Sequence, residues 1–210
     1  MKDAITRTTE WVKAQLEHEG TGHDWEHIRR VTSQAQEIAE IEGADRHIVT
    51  LAALLHDLID DKVVASEEEG LAKVNKWLEQ LALPTDAKTH IIEIITTMSF
   101  KGGNNKPMST LEGQIVQDAD RLDALGAIGI ARTFLYAGSK GQPMYDPAAR
   151  VRENMTVEQY RNGKSSAVHH FYEKLLKLKS LMNTNEAKRR AERRHAFMEQ
   201  FLEQFYQEWD

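Results

Sequence analysis

Residues 48–59 read IVTLAALLHDLI, an almost wholly apolar run with His56-Asp57 set into it. A stretch that is hydrophobic nearly all round belongs at the centre of a helical domain rather than on its surface. Asp45 stands in place to cap its start. Upstream, Asp24 is a natural N-cap for a helix with Ile28, Val31, Ala35, Ile38 and Ala39 on one face, and Gly43 ends it. Earlier still, Ile5, Thr9, Val12 and Leu16 share a face over residues 3–18. Downstream, Ser66 and Glu69 form a capping box for residues 67–81, and Pro84 opens the helix through IIEIITTM (91–98). Ser109 with Glu112 forms a second box before a helix through Asp118–Leu125, which Gly126 and Gly129 tighten or divide from Ile130–Tyr136. Thr156 and Gln159 cap a helix near Tyr160, a run over 165–182 carries Val168, Phe171, Leu175 and Leu178, and residues 186–208 complete the series. SFKGGNNKP (99–107) and AGSKGQPMYDP (137–147) read as loops. No strand alternation survives, so the expected fold is all-α, a compact multi-helix bundle.

Composition narrows the function. At 210 residues the chain fits one domain, at roughly 100–200 residues per domain. The absence of cysteine excludes disulfides, Cys-based zinc sites, Fe–S clusters and thiol nucleophiles. A net charge of −6 argues against nucleic-acid binding through a broad basic surface. KRRAERR (188–194) reads as a solvated helix face. The first twenty residues carry no apolar core of a signal peptide, and no run approaches the length of a membrane span, so a cytoplasmic protein without a membrane partner is expected.

The chemistry must lie with polar residues on apolar helices. Burying an uncompensated carboxylate costs several kcal/mol or neutralises it, so Asp57 needs a partner. Asp118, Asp120 and Asp123 pose the same problem within IVQDADRLDALGAIGIA (115–131). His27 falls on the inward face of its helix, one turn before Val31. A cation bound between helices answers both demands, because imidazole and carboxylate together suit a first-row divalent metal. Two His and two Asp are too oxygen-rich for a typical structural zinc site and leave positions open. His23-Asp24 repeats the His-Asp pair, but in a Gly-flanked turn where Asp24 reads as an N-cap, so this copy is expected to be structural. Asp60, at His56 + 4 and Asp57 + 3, falls on the same side of a continuous helix and is the candidate general acid or base.

The order His27, His56-Asp57, Asp120, within the words HDWEHIRRV (23–31), LAALLHDLID (51–60) and IVQDADRLDALGAIGIART (115–133), resembles the signature of the HD-domain metal-dependent phosphohydrolases. HHFYEKLLKLKSLMNT (169–184) is similar to one subgroup of small, stand-alone bacterial HD proteins. The resemblance implies a single HD-type domain over 1–210, with a metal-binding core at about 21–135 and C-terminal helices at about 150–208 packed on it. It implies one divalent ion (Mn, Co, Ni, Fe or Mg) held by His27, His56, Asp57 and Asp120. Asp120 is preferred because the family's last ligand follows Ala, here Ala119. Some HD enzymes carry a catalytic carboxylate, often Glu, one turn past the His-Asp pair, where this chain has Asp60. A divalent metal can polarise a phosphoryl oxygen and lower the pKa of bound water. Arg29, Lys62, Lys101 and Arg121 are the candidate cations for a phosphorylated substrate, Arg121 with a second role of locking Asp120. The expected activity is nucleotide phosphohydrolysis, with pyrophosphate release from nucleoside triphosphates first. Alternatives are a nucleoside 5′-monophosphatase and a non-catalytic nucleotide-binding signalling protein. A homodimer is compatible with the resemblance.

Overall fold

The computed structural model describes residues 2–17, 23–60, 63–64, 66–98, 107–152, 156, 163 and 165–209. The regular elements among these residues are all helices, with no strand, as the periodicities require. They fall into two compact units, one from Met1–Ser99 with Asn105–Ala119 and one from Phe100–Asn104 with Asp120–Asp210.

In the first unit, α1 (Lys2–Gln15), α2 (Trp25–Glu42) and α5 (Thr85–Thr97) pack on α3 (Arg46–Leu55), and α4 (Glu67–Glu79) packs on the turn that follows it. Every residue of α3 from Ile48 to Leu55 is buried. The apolar run is therefore the central helix, but it does not stay α-helical. It ends at Leu55, and His56–Ile59 continue as a 3₁₀ turn. Gly70 of α4 explains the tight fit around this turn. A Cβ there would lie 2.5 Å from the Leu58 carbonyl oxygen and 2.8 Å from Ile59 Cα, so only glycine lets the two backbones approach.

Local chemistry sets the helix ends. The Asp24 carboxylate accepts from the His27 N–H at 2.8 Å, and Gly43, at φ 78°, closes α2 in the left-handed conformation with its N–H on the Ala39 carbonyl. Asp45 accepts from His47 and Ile48 N–H, and Ser66 accepts from Glu69 N–H. Two expectations shift by a residue. In α1, Val12 is buried as expected, as is Leu16 just past its end, but Ala4 and Thr8 replace Ile5 and Thr9 on the buried face, where Thr8 Oγ1 accepts from Trp77 Nε1 at 3.0 Å. Before α6 (Leu111–Asp123), Thr110 rather than Ser109 receives a helix N–H, that of Gly113. Ser109 donates instead to Glu93, and Glu112 accepts from the Asp45 N–H.

The second unit holds α7 (Gly126–Ser139), α8 (Ala167–Glu173) and α9 (Asn185–Trp209). Gly126, at φ 75°, divides α6 from α7. The expected run over 165–182 is likewise two pieces, α8 and a 3₁₀ segment over Leu175–Leu181. Phe134, Phe171 and Phe201 pack together with ring centroids 5.9–6.3 Å apart. Thr156 is exposed, while Gln159, the helix expected near Tyr160 and most of the 99–107 loop lie outside the described residues.

A buried ion pair ties the loop before α8 to the helix itself. Glu173 accepts from Arg152 Nε at 2.8 Å, from Arg152 Nη2 at 2.7 Å and from Ser165 Oγ at 3.0 Å. Burial pushes its carboxyl upward, but the bonds from Arg152 and then Ser165 prevail and hold it below the usual range. A carboxyl depressed in the folded state contributes stability above its ordinary value, about 4.3, and loses it as pH falls through the lower folded value. Glu173→Gln should therefore cost roughly 2–3 kcal/mol at pH 7, and the gap from wild type should shrink on acidification. Melting curves at neutral and acid pH check this, and equal midpoints at pH 7 would refute it.

Candidate metal centre

The first unit brings four of the sequence's polar outliers together. Asp57, on the 3₁₀ turn, lies among three imidazoles. His23 Nδ1 is 2.9 Å from Oδ2, His27 Nε2 is 3.2 Å from the same oxygen, and His56 Nε2 is 3.3 Å from Oδ1. His27 is wholly buried, and its ring stands edge-on to those of His23 and His56 at 5.7 and 5.4 Å. Burial works to raise the Asp57 carboxyl. The charges of His56, His23 and His27, with the hydrogen bond from His23, overcome it and hold the group well below the ordinary carboxylate range.

Each side chain has a local reason for its position. The Asp24 cap fixes the first turn of α2 and with it His27. His56 closes α3, and its Nδ1 lies 2.8 Å from the Ala53 carbonyl oxygen. A carbonyl only accepts, so Nδ1 carries a proton, and once the ring is neutral, as a metal ligand must be, the lone pair of Nε2 points towards Asp57. A lone pair facing a carboxylate oxygen is repulsive until a cation lies between them. An imidazole whose far nitrogen donates to a backbone carbonyl is also the usual arrangement of a metal-bound histidine. The donor set of His27, Asp57 and His56 thus fits a divalent cation, and donor atoms of His23, His27 and Asp57 lie within 4.8 Å of one another.

The remaining candidates fall as follows. Asp120 is half-buried on α6, directly after buried Ala119 and at the start of the second unit. Asp123 pairs with Arg132 at 2.8 Å. Asp60 follows the 3₁₀ turn in extended conformation, its N–H on the Asp57 carbonyl. The helical spacing that recommended Asp60 is thus not the geometry observed, because the chain leaves the α-helix at His56. Arg29 is exposed and bonds Glu26 at 2.7 Å. Arg121 donates to the Leu181 carbonyl, within the second unit, instead of serving only its neighbour Asp120. Lys62 and Lys101 lie outside the described residues. Sequence reading missed His23. It was read as part of a structural turn, yet it hydrogen-bonds Asp57, and its only signal was its place one turn before His27 in HDWEH.

An all-α unit that sets His27 against a buried His-Asp pair defines a class, and comparison with known proteins agrees. The model of the HD domain matches residues 24–125. The YpgQ protein of Bacillus subtilis is 43% identical over 190 residues, covering 90% of this chain and 85% of YpgQ. The chain belongs to the HD-domain family. Its structural relatives include YpgQ in complex with ADP, with a TM-score of 0.78, 40% identity and 97% of each chain covered. An HD-superfamily hydrolase of Bacillus thuringiensis is 50% identical, with a TM-score of 0.77 over 99% of this chain and 97% of its own. A protein of Lactobacillus plantarum superimposes with a TM-score of 0.91 at 42% identity, over 100% and 98% of the two chains. HD domains bind divalent metals, and the His/Asp group around Asp57 is of that kind. Among the described residues no helix is long and apolar enough to cross a membrane.

Proposed function

We propose that this chain is a metal-dependent phosphohydrolase acting on nucleotides, with nucleoside triphosphates cleaved to monophosphate and pyrophosphate. The observation that carries the reading is Asp57 buried among His23, His27 and His56, with the His56 proton committed to Ala53. The YpgQ complex with ADP supports a nucleotide as ligand. His27, His56, Asp57 and Asp120 would hold one divalent ion. When bound, it supplies positive charge to a phosphoryl oxygen and lowers the pKa of water beside it.

The protein's own groups do the rest. Asp57 stays ionised and offsets the cation's charge. His23 holds the outer side of that carboxylate, so its loss should weaken metal affinity on the scale of an outer hydrogen-bond partner, roughly 10–100-fold. Asp60 takes up or delivers the proton of the attacking water or the leaving oxygen. Cations at Arg29, Lys62, Lys101 and Arg121 engage the phosphates; the bonds of Arg29 to Glu26 and of Arg121 to Leu181 must open or be shared for this.

A panel of nucleoside tri-, di- and monophosphates with Mn²⁺, Co²⁺, Ni²⁺ and Mg²⁺, products separated by chromatography, tests the reading. Metal-dependent pyrophosphate release from triphosphates is expected. Phosphate release from monophosphates alone would make the chain a nucleotidase. No turnover with any metal, despite binding, would contradict an enzyme.

A further inference from the structure

The basic run KRRAERR (188–194) is more than a solvated face. Ala191 within it is buried, and Arg190 and Arg194 are half-buried. Arg189, Arg190, Arg193 and Arg194, with Phe197, line one side of a hollow of ≈480 Å³, and the first residues of α7 line the other. That volume falls within the range of small-molecule sites. Among the described residues no carboxylate lines it.

Bonds made outside the hollow hold three of the four guanidinium groups. Glu186, itself buried, accepts from Arg189 at 2.8 and 2.7 Å and from Arg190 at 2.7 Å. Those two arginines keep its carboxyl down to about 2, so it stays ionised and offsets one positive charge. Arg194 donates to the Leu122 carbonyl, and its stem lies along Gly126, where a Cβ would meet Arg194 Cβ and Cγ at 3.2 Å. Arg193 is exposed. Among the described residues, Glu192 pairs with Lys179 at 3.3 Å and Asp123 with Arg132 at 2.8 Å. Four guanidinium groups gathered on a chain of net charge −6 are a local reversal of sign that an anion would relieve.

The ligand's chemistry follows from the walls. Guanidinium forks match phosphoryl oxygens, and several of them suit a chain of phosphates better than a single one. α7 begins without a side-chain cap, which adds backbone donors at Gly126 and Ala127. Phe197, 47% exposed, offers an apolar ring beside the charges, a surface on which a base can stack. We propose that this hollow binds a nucleoside polyphosphate, its phosphates on the arginines of α9 and its nucleoside against Phe197.

Calorimetric titration of the full chain, stripped of metal, with ADP and with inorganic pyrophosphate tests this. Both probes should bind, and Arg193→Glu should weaken both at least about tenfold. Arg193 is exposed, so circular dichroism should match wild type, and Arg193→Gln serves as a milder second variant. Phe197→Ser should weaken ADP several-fold and leave pyrophosphate unchanged. Equal affinities in wild type and both Arg193 variants, or no binding of either probe at millimolar concentration, would overturn the proposal. So would an Arg193-dependent affinity for a single-stranded oligonucleotide with none for ADP or pyrophosphate, which would make the surface a nucleic-acid contact.

Discussion

Asp57→Ala is expected to remove metal binding and hydrolysis together. Asp57 is in contact with all three imidazoles, and it stays ionised against the cost of its burial. Without it, a divalent cation would meet neutral imidazole nitrogens in a buried site and lose the carboxylate that offsets its charge. Loss of an outer partner alone costs up to ~100-fold in metal affinity, so removal of the central carboxylate should exceed that and take turnover with it. Asp57→Asn keeps the shape and removes the charge, and should fail in the same way. Binding is read by equilibrium dialysis with Mn²⁺, and turnover by product chromatography after metal is stripped and resupplied. Wild-type turnover in either variant would show that the ion, if needed at all, sits elsewhere.

Asp60→Asn should separate chemistry from binding. Asp60 leaves the 3₁₀ turn with its backbone N–H still bonded to the Asp57 carbonyl, so its position is tied to that of the turn. If its carboxylate moves the proton, metal and nucleotide affinities survive while kcat falls roughly 10²–10⁴-fold. A loss confined to kcat marks an interaction made in the transition state. An unchanged kcat with normal metal binding would pass the role to another group, Asp61 or Asp123 first.

Much of this was legible in the sequence, for local reasons. Asp24, Gly43, Asp45 and Ser66 act within a few residues of themselves, and all four sit where the capping rules put them. The apolar run of 48–59 announced a buried helix because burial needs only composition. What failed depended on distant partners. The tightening at His56 reflects α4 pressing Gly70 onto Leu58 and Ile59, a contact no local period encodes. Ser109 looked like a cap, but Glu93 claims its hydroxyl and Thr110 takes the role. His23 lies before the first helical turn of α2, outside any face, and reaches Asp57 only through the fold. The arginines at 29 and 121 carried charge in the right neighbourhood, and the sequence could not show that Glu26 and the Leu181 carbonyl hold them.

The central claim is that His27, His56, Asp57 and Asp120 hold one divalent ion. A crystal grown with Mn²⁺ and measured above and below the manganese absorption edge tests it most directly. One anomalous peak is expected per chain, within about 2.0–2.3 Å of ligand atoms from these four residues, with His23 still hydrogen-bonded to Asp57 and off the ion. A well-ordered map with no peak among these side chains, or with the ion on other residues, would contradict it.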